Sequence, residues 1–394
     1  MHFVLVLALW MVALPAVATC LYLLILTLLS AALPPLPASS RKLRFDIIIP
    51  AHNEEHVLAN VIRSVQAVDW PADQFRVVVV ADNCTDATAE IGAAEGAHVL
   101  QRFDQEHRGK GYALDFGFKA SRAHGWADAV VVIDADAQVS GNLLEAYACR
   151  IERGEQAVQV HYGVSNTGAS WRTRLLSIAK AAFHIVRSRA RERLGASCGI
   201  RGNGWAVTHA LLDKVPYAAF SLTEDLEYGI DLGMAGFRVA YADEAHSDAE
   251  MVSAESDARK QRQRWESGRF ELVRKMTLPL LRQAVRGRSL VCLDLACDLM
   301  VLPLSYVVLN VVALLVLAAI AAALNPAAYV WIGLGYGCVA ALVLHILRGW
   351  QLSGAGLQGL ADLARAPFFL IWKVLIMLRR SSSRDWVRTK REGS

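Results

Sequence analysis

The 394-residue sequence contains no Cys-x-x-Cys pair; its seven cysteines, at positions 20, 84, 149, 198, 292, 297 and 338, are scattered and odd in number. That pattern excludes a disulfide framework and a structural zinc site, and fits reduced thiols in a cytosolic domain. No P-loop is present: the one Gly-flanked lysine, in Arg108-Gly-Lys-Gly-Tyr112, lacks both the five-residue lead and the following Ser or Thr. Nor does a dinucleotide-type G-x-G-x-x-G follow the first predicted strand. Gly199, Gly202 and Gly204 come late and are spaced differently, which argues against a nicotinamide cofactor. Repeats and low-complexity tracts are also missing. The net charge is only +4, and no nucleic-acid partner is expected. Between Phe3 and Leu29 there is not one charged residue, and the run lacks the basic start of a signal peptide.

What the chain has in excess is apolar residues, 54% of the total, concentrated at its two ends. Phe3–Leu29 reads as a membrane anchor. The basic Arg41-Lys-Leu-Arg44 after Pro34-Pro35 places the following domain in the cytosol and the N-terminus outside. Leu299–Ala323 and Tyr329–Leu347 are each long enough to span, with Asn325-Pro326 as the turn between them. Ala366–Leu378 is short and contains Lys373, so it reads as an interfacial helix ahead of a basic cytosolic tail. The expected localisation is the inner (plasma) membrane, multi-pass, with a cytosolic catalytic domain. The expected division is an anchor and linker over 1–40, an α/β domain over 41–255 and a basic amphipathic helix region over 256–290. Two transmembrane helices over 291–350 follow, then an interfacial helix and tail over 351–394. Residues 170–193 read as a further helix with seven Lys/Arg against one Glu, either a solvated basic face or a segment near an anionic membrane surface.

From Phe45 to about Tyr241, strand and helix patterns alternate, which predicts an α/β fold with a mixed, mostly parallel sheet. The most informative stretch is Ala129-Val-Val-Val-Ile-Asp-Ala-Asp-Ala137, an uninterrupted β-branched run ending in two carboxylates. It predicts a buried strand whose C-terminal end opens into a site, where open α/β sheets collect ligands. Asp134 and Asp136 would share one face while the strand continues, and a turn would splay them onto two tasks. Paired carboxylates suit Mg²⁺ or Mn²⁺ shared with substrate phosphates; equally, Asp is a common turn residue.

Four other motifs fall at predicted element ends. Pro50-Ala-His-Asn-Glu-Glu55 follows the first strand, and its Asn53 and Glu54 either bond a polar ligand or cap a helix. Asp82 ends the second strand, and Lys110 sits between glycines that allow close approach by an anion. In Ser221-Leu-Thr-Glu-Asp225, Ser221 and Glu224 have capping-box spacing, so a structural role is available to both. Asp225 is left over in the first helical turn, where the dipole and a nearby cation would keep it ionised as a general base requires. In Gln261-Arg-Gln-Arg-Trp265, Gln261 and Arg264 share a helical face and Trp265 stacks beside Gln261. Arginine suits a leaving diphosphate and indole suits sugar C–H surfaces; a membrane-surface helix is the plainer reading, and both can hold.

The ordered set Pro50-Ala-His-Asn-Glu, Asp82, Gly-Lys110-Gly, Asp134-Ala-Asp136, Thr223-Glu-Asp225 and Gln261-x-x-Arg264-Trp265 resembles the family-2 glycosyltransferases over about residues 45–275. It is most similar to their membrane-integrated branch, which includes cellulose, chitin-oligosaccharide, hyaluronan and poly-N-acetylglucosamine synthases and ceramide glucosyltransferases. The resemblance implies a glycosyltransferase-A (GT-A) fold and an inverting, metal-dependent displacement from a UDP-sugar onto a lipid or saccharide acceptor. By the same resemblance Asn53, Glu54 and Asp82 would hold the nucleotide base, with Lys110 near the nucleotide. Asp134 would touch ribose or metal, and Asp136 would ligate Mg²⁺ or Mn²⁺. Asp225 would be the general base, Gln261 and Arg264 would hold the leaving diphosphate, and Trp265 would floor the acceptor site. Gly202-Asn-Gly-Trp205 lies where the family shapes its acceptor pocket, and His52 stands where relatives often carry Tyr. The spans carry few polar residues, so a product of one or a few sugars is expected. A processive synthase coupled to export, helped by an oligomer or export partner, is the first alternative. The second is a non-catalytic glycan- or nucleotide-binding membrane subunit, against which the presence of Asp136 and Asp225 argues.

Overall fold

The computed structural model describes residues 2–251 and 255–365, without the side chains of 2–3 and 255–264. The described chain forms two compact units. One comprises residues 2–31, 167–190 and 297–365, the other 32–166, 191–251 and 255–296. The interfacial helix expected over Ala366–Leu378 and the basic tail lie outside the described residues.

The larger unit is built on eight strands: β1 (Phe45–Ala51), β2 (Phe75–Asp82), β3 (His98–Arg102), β4 (Ala129–Val132), β5 (Ala137–Val139), β6 (Ala157–Val164), β7 (Trp205–Thr208) and β8 (Ala240–Ala249). They form one sheet in the order β3-β2-β1-β4-β7-β6-β8-β5. The first four positions pair in parallel. β7 runs antiparallel to both β4 and β6, β6 and β8 are parallel, and β5 closes the far edge antiparallel to β8. The mixed, mostly parallel sheet expected from the sequence is therefore present.

Strands buried on both faces need apolar residues at consecutive positions, which is why these segments do not alternate with polar ones. Ile47, Ile49, Val79 and Val131 face one core, covered by Leu58, Val61, Ile62 and Val65 of the helix Leu58–Gln66 and by Leu143, Leu144 and Tyr147 of Leu143–Ile151. Ile48, Val78, Val80, Val130 and Val132 face the other, covered by Ala113, Leu114 and Phe118 of Lys110–His124.

In this apolar setting Asp46 of β1 is fully buried. Arg76 grips it at both oxygens, Nε to Oδ1 and Nη2 to Oδ2, each at 2.8 Å. Ser121 Oγ donates a third bond at 2.5 Å, and the guanidinium stacks 4.4 Å from the Trp126 ring centroid.

The smaller unit contains three helices long and apolar enough to cross a membrane: Val4–Leu28, Leu304–Leu324 and Pro326–Leu352. Leu9, Ala13, Ala16, Val311, Leu314, Ala318 and Cys338 form an apolar core among them. The second span starts later than the expected Leu299. A preceding helix ends at Met300, and Pro303, which cannot donate within a helix, stands at the N-cap of Leu304–Leu324. The basic segment is helical through Trp171–Ala181, a π turn at Ala182–Val186, and Arg187–Arg193. Several of its charges do not lie on a solvated basic face, one of the two readings that the sequence allows. Arg187 and Lys180 are buried, Arg187 pairs with Asp298, and Arg174 Nε lies 2.7 Å from Asp362. In the larger unit, buried Arg191 reaches Asp294 at 2.6 Å.

Removing one partner of a buried pair leaves an uncompensated charge. Arg76→Met is expected to lower stability by about 3–5 kcal/mol through the stranded Asp46 carboxylate. Denaturant unfolding of the purified protein in detergent checks this, and a loss no larger than that of an ordinary surface substitution contradicts it.

Candidate active site

Apart from Trp265, the described site residues lie at strand ends, on the turns that follow them or at helix starts of the larger unit. Asn53 follows β1 with a left-handed φ of 57°, and its Oδ1 accepts the Thr85 N–H at 2.8 Å. Glu54 N–H donates to Thr88 Oγ1 at 2.8 Å. His52 Nδ1 lies 2.7 Å from the Asp82 carbonyl. These contacts join the loops after β1 and β2 into one surface. Asp82 is buried; Arg102 reaches its carboxylate at 2.6 Å and Asp104 at 2.9 Å. Asn83, also with positive φ, donates from Nδ2 to Asp82 Oδ1 at 3.1 Å. Arg102 is thus part of the Asp82 corner, and only the parallel pairing of β3 with β2 brings the two together.

β4 stops at Val132, so Asp134 and Asp136 lie past the strand on the kind of turn expected to splay them, and not on one strand face. They sit on the turn that carries the chain from mid-sheet to edge strand β5, closed by Ala137 N–H donating to the Asp134 carbonyl at 3.1 Å. Both are half-buried. The Asp134 N–H donates to Asn203 Oδ1 at 3.0 Å, and Gly204 N–H to the Val132 carbonyl at 3.1 Å. A side-chain amide thereby continues the β4–β7 pairing past its last backbone rung.

Lys110 begins the helix Lys110–His124. Its Nζ lies 2.5 Å from Asp134 Oδ1 and 3.8 Å from Glu224 Oε1, and donates to the Gly202 carbonyl at 2.7 Å. Burial works against this ammonium, but Asp134 and Glu224 outweigh it and hold its pKa above the usual lysine range. The flanking glycines serve the protein more than an anion. Gly109 takes φ 128°, which side chains rarely adopt. A methyl on Gly111 would come within 2.3 Å of the Ala219 carbonyl, so glycine lets the helix start lie against the segment leading to Glu224. Tyr112 and Phe220 stack at 4.3 Å between centroids beside that contact.

The capping box that the spacing makes available to Ser221 and Glu224 does not form. The helix Glu224–Met234 begins two residues too late for it, with Thr223 at the N-cap and no side-chain cap bond. Ser221 N–H instead donates to Glu227 Oε2 at 3.0 Å. Glu224 is released toward Lys110 and becomes a site residue that the sequence had assigned to local structure. Burial raises its pKa to about 7, Lys110 opposing and Asp225 adding to the rise. Asp225 is also raised by burial, against Lys110 and the backbone N–H groups at the helix start. Gly202, at φ 86°, lies so close that a methyl there would stand 3.4 Å from Asp225 Oδ2.

Trp265 lies half-exposed on the long helix Glu255–Arg286, whose Gly268 packs on Thr223 so closely that a methyl would fall 2.6 Å from its Cγ2. One turn therefore separates Trp265 from the contact with the residue preceding Glu224. Gln261 and Arg264 belong to the same helix, and their side chains lie outside the described residues. The structure thus brings Lys110, Asp134, Glu224 and Asp225 into one cluster, and sets Asn53 and Asp82 on the adjoining loops. Glu224, Asn203 and Arg102 are the additions; the capping-box register and the loose Gly202-Asn-Gly-Trp205 match were the signals available for the first two.

Comparison with known proteins converges on the same stretch. A family model described as "Glycosyltransferase like family 2" matches residues 43–268. "Glycosyltransferase AglD" of Haloferax volcanii is 29% identical over 221 residues, covering 52% of this chain and 33% of that protein. "Beta-monoglucosyldiacylglycerol synthase" of Nostoc sp. is 27% identical over 232 residues, covering 57% and 48%. The matches thus span half or less of these relatives' own length. A solved mannosyltransferase from Pyrobaculum calidifontis, in complex with GDP-Man and Mn²⁺, superposes with a TM-score of 0.50 at 16% identity, over 85% of this chain and 98% of that one. At that identity the likeness is one of fold.

Between about pH 4.5 and 7 the folded chain keeps a proton on Glu224 that the unfolded chain has lost, so this group's contribution to stability falls as pH rises through that window. Glu224→Gln is expected to flatten that part of the profile. Unfolding temperatures of both proteins from pH 4.5 to 7.5 check it, parallel curves being the contrary result.

Proposed function

Because the chain belongs to the glycosyltransferases of family 2 and carries their GT-A fold, we propose that it transfers a sugar, with inversion, from a UDP-sugar to a hydroxyl of a lipid or saccharide acceptor at the cytosolic face of the plasma membrane. The observation that carries this reading is the cluster of Lys110, Asp134, Glu224 and Asp225 at the end of β4. Asp225 accepts the proton of the acceptor hydroxyl. The hydroxyl oxygen bonds to the anomeric carbon while the bond to the diphosphate oxygen breaks, and the nucleoside diphosphate leaves. A carboxylate whose pKa burial has raised is a stronger base than a solvated one, and its ionised form is kept accessible by Lys110 and the helix N-terminus. Asn53, Glu54 and Asp82 form the nucleoside end, with Arg102 holding Asp82 in place. By the family resemblance, Gln261 and Arg264 would hold the leaving diphosphate and Trp265 would floor the acceptor site.

Asp134 and Asp136 offer only carboxylate oxygens on one turn, a donor set that suits Mg²⁺ or Mn²⁺. Among the described residues no third His, Cys, Asp or Glu joins them in a metal-holding group, which fits an ion that takes its other ligands from diphosphate and water. Such an ion would offset the negative charge that develops on the leaving group. The three apolar helices support a multi-pass protein, and basic Arg41–Arg44 supports a cytosolic catalytic unit. These helices bury an apolar core against one another, and His345 is tied to Thr27 Oγ1 at 2.8 Å. That favours addition of one or a few sugars over a chain threaded through this bundle.

Release of UDP from each UDP-sugar, with a lipid extract as acceptor, tests the proposal directly; no release with any donor would refute it. Asp225→Asn is expected to cut transfer by about 10²–10⁴ while leaving donor affinity intact. A collapse of donor affinity instead would make Asp225 a donor-site residue. A cysteine introduced at Asn325, in the turn between the last two spans, is expected to react with an impermeant reagent from outside, whereas one in the catalytic unit is not. The reverse labelling pattern would invert the topology.

A further inference from the structure

We propose that Lys110 couples metal entry to nucleotide entry: its ammonium occupies the oxygen cage that a divalent cation would share, and gives it up to an incoming diphosphate. The inference rests on the donor reading above and adds an order of binding to it. Three oxygens from three separate elements surround Nζ: Asp134 Oδ1 at 2.5 Å, the Gly202 carbonyl at 2.7 Å and Glu224 Oε1 at 3.8 Å. Two of these lie within direct bonding reach, and one belongs to the carboxylate pair that would hold the metal. A dication drawing on Asp134 would stand within a few ångströms of the ammonium, in a half-buried setting where like charges are poorly screened. An ordinary lysine ammonium stays charged at neutral pH. Lys110 has to move.

A diphosphate provides both the place and the reason. Lys110 is the first residue of the fifteen-residue helix Lys110–His124, whose N-terminal dipole favours an anion beside it. The preceding Gly109 has open space beside it, with nothing within 4 Å of where a methyl would be. The four-carbon stem lets Nζ swing from Asp134 to a phosphate without shifting the helix. Nucleotide therefore frees Asp134 for the metal, and metal in turn keeps Lys110 on the nucleotide. By linkage the two effects are one coupling free energy, read equally from either side. If Lys110 were only a phosphate contact, its removal would weaken nucleotide and leave nucleotide-free metal binding unchanged.

The test is Mn²⁺ binding by electron paramagnetic resonance to the full chain in detergent, with and without UDP, and with GDP as a second nucleotide. Wild type is expected to bind Mn²⁺ weakly alone and at least about tenfold more tightly with nucleotide. Lys110→Met is expected to raise nucleotide-free Mn²⁺ affinity by about tenfold and to shrink the coupling by that same factor, leaving the part that direct ligation by the diphosphate supplies. Lys110→Arg, which keeps the charge, should retain the weak nucleotide-free binding. Unchanged or weaker nucleotide-free Mn²⁺ binding by folded Lys110→Met overturns the proposal. So does a wild type that binds Mn²⁺ equally well with and without nucleotide, a result that needs no variant. Asp136→Asn separates the two levels: Mn²⁺ binding in the presence of nucleotide that survives it refutes the metal reading itself. Failure of both nucleotides to bind removes the donor reading and the coupling with it.

Discussion

A single ammonium, that of Lys110, connects the parts on which the site depends. Its three oxygen neighbours come from the turn after β4, the turn before β7 and the start of the helix Glu224–Met234. Two of those segments are turns with little regular hydrogen bonding of their own, and the third is a helix start without a side-chain cap. A buried cation stabilises such an arrangement only when all its partners are in place, because a missing one leaves charge without solvent. Close backbone approach makes this possible. Gly111 lies against the Ala219 carbonyl, Gly202 beside Asp225, and Gly204 so near Val160 and Ser247 that a side chain could not be inserted.

The sheet order explains why these loops meet. β7 enters antiparallel beside β4 and delivers the Gly199–Gly204 turn to the end of β4, where the parallel strands also finish. The chain then has to travel from mid-sheet to the far edge to form β5, and Asp134 and Asp136 are on that passage. A strand order that departs from simple succession opens a crevice at such a point, and a ligand site there needs no further device. The family match over residues 43–268 coincides with this core rather than with the apolar flanks.

The apolar unit handles its charges differently. Arg187 and Asp298 neutralise one another out of solvent, and Arg174 is matched by Asp362. These pairs set helix against helix more than they add stability, since desolvation offsets most of the attraction. The π turn at Ala182–Val186 sits between them and shifts the phase of the helix by one residue. Gly349 accepts the close approach of Ala182 and the Ile178 carbonyl there.

Elements governed by local chemistry were legible in the chain itself. β-branched runs such as Ile47–Ile49 and Val77–Val80 mark doubly buried strands, uncharged runs mark the three apolar helices, and acidic residues at the ends of such runs mark the site. Each signal is carried by residues a few positions apart, so one sequence is enough to read it. The partners of those residues were not legible. Whether Arg174 or Arg187 faces water or a buried carboxylate depends on Asp362 and Asp298, more than a hundred residues away. The role of Glu224 depended on a helix start displaced by two residues, a difference that spacing alone does not resolve. Arg102 reached Asp82 only through strand pairing, and Lys110 reached Asp134 only through packing of a helix across a sheet. Local sequence determined which groups stand at the ends of the elements; which of them share a charge was decided by tertiary structure, because electrostatic partnership depends on distance in space and on exclusion of water.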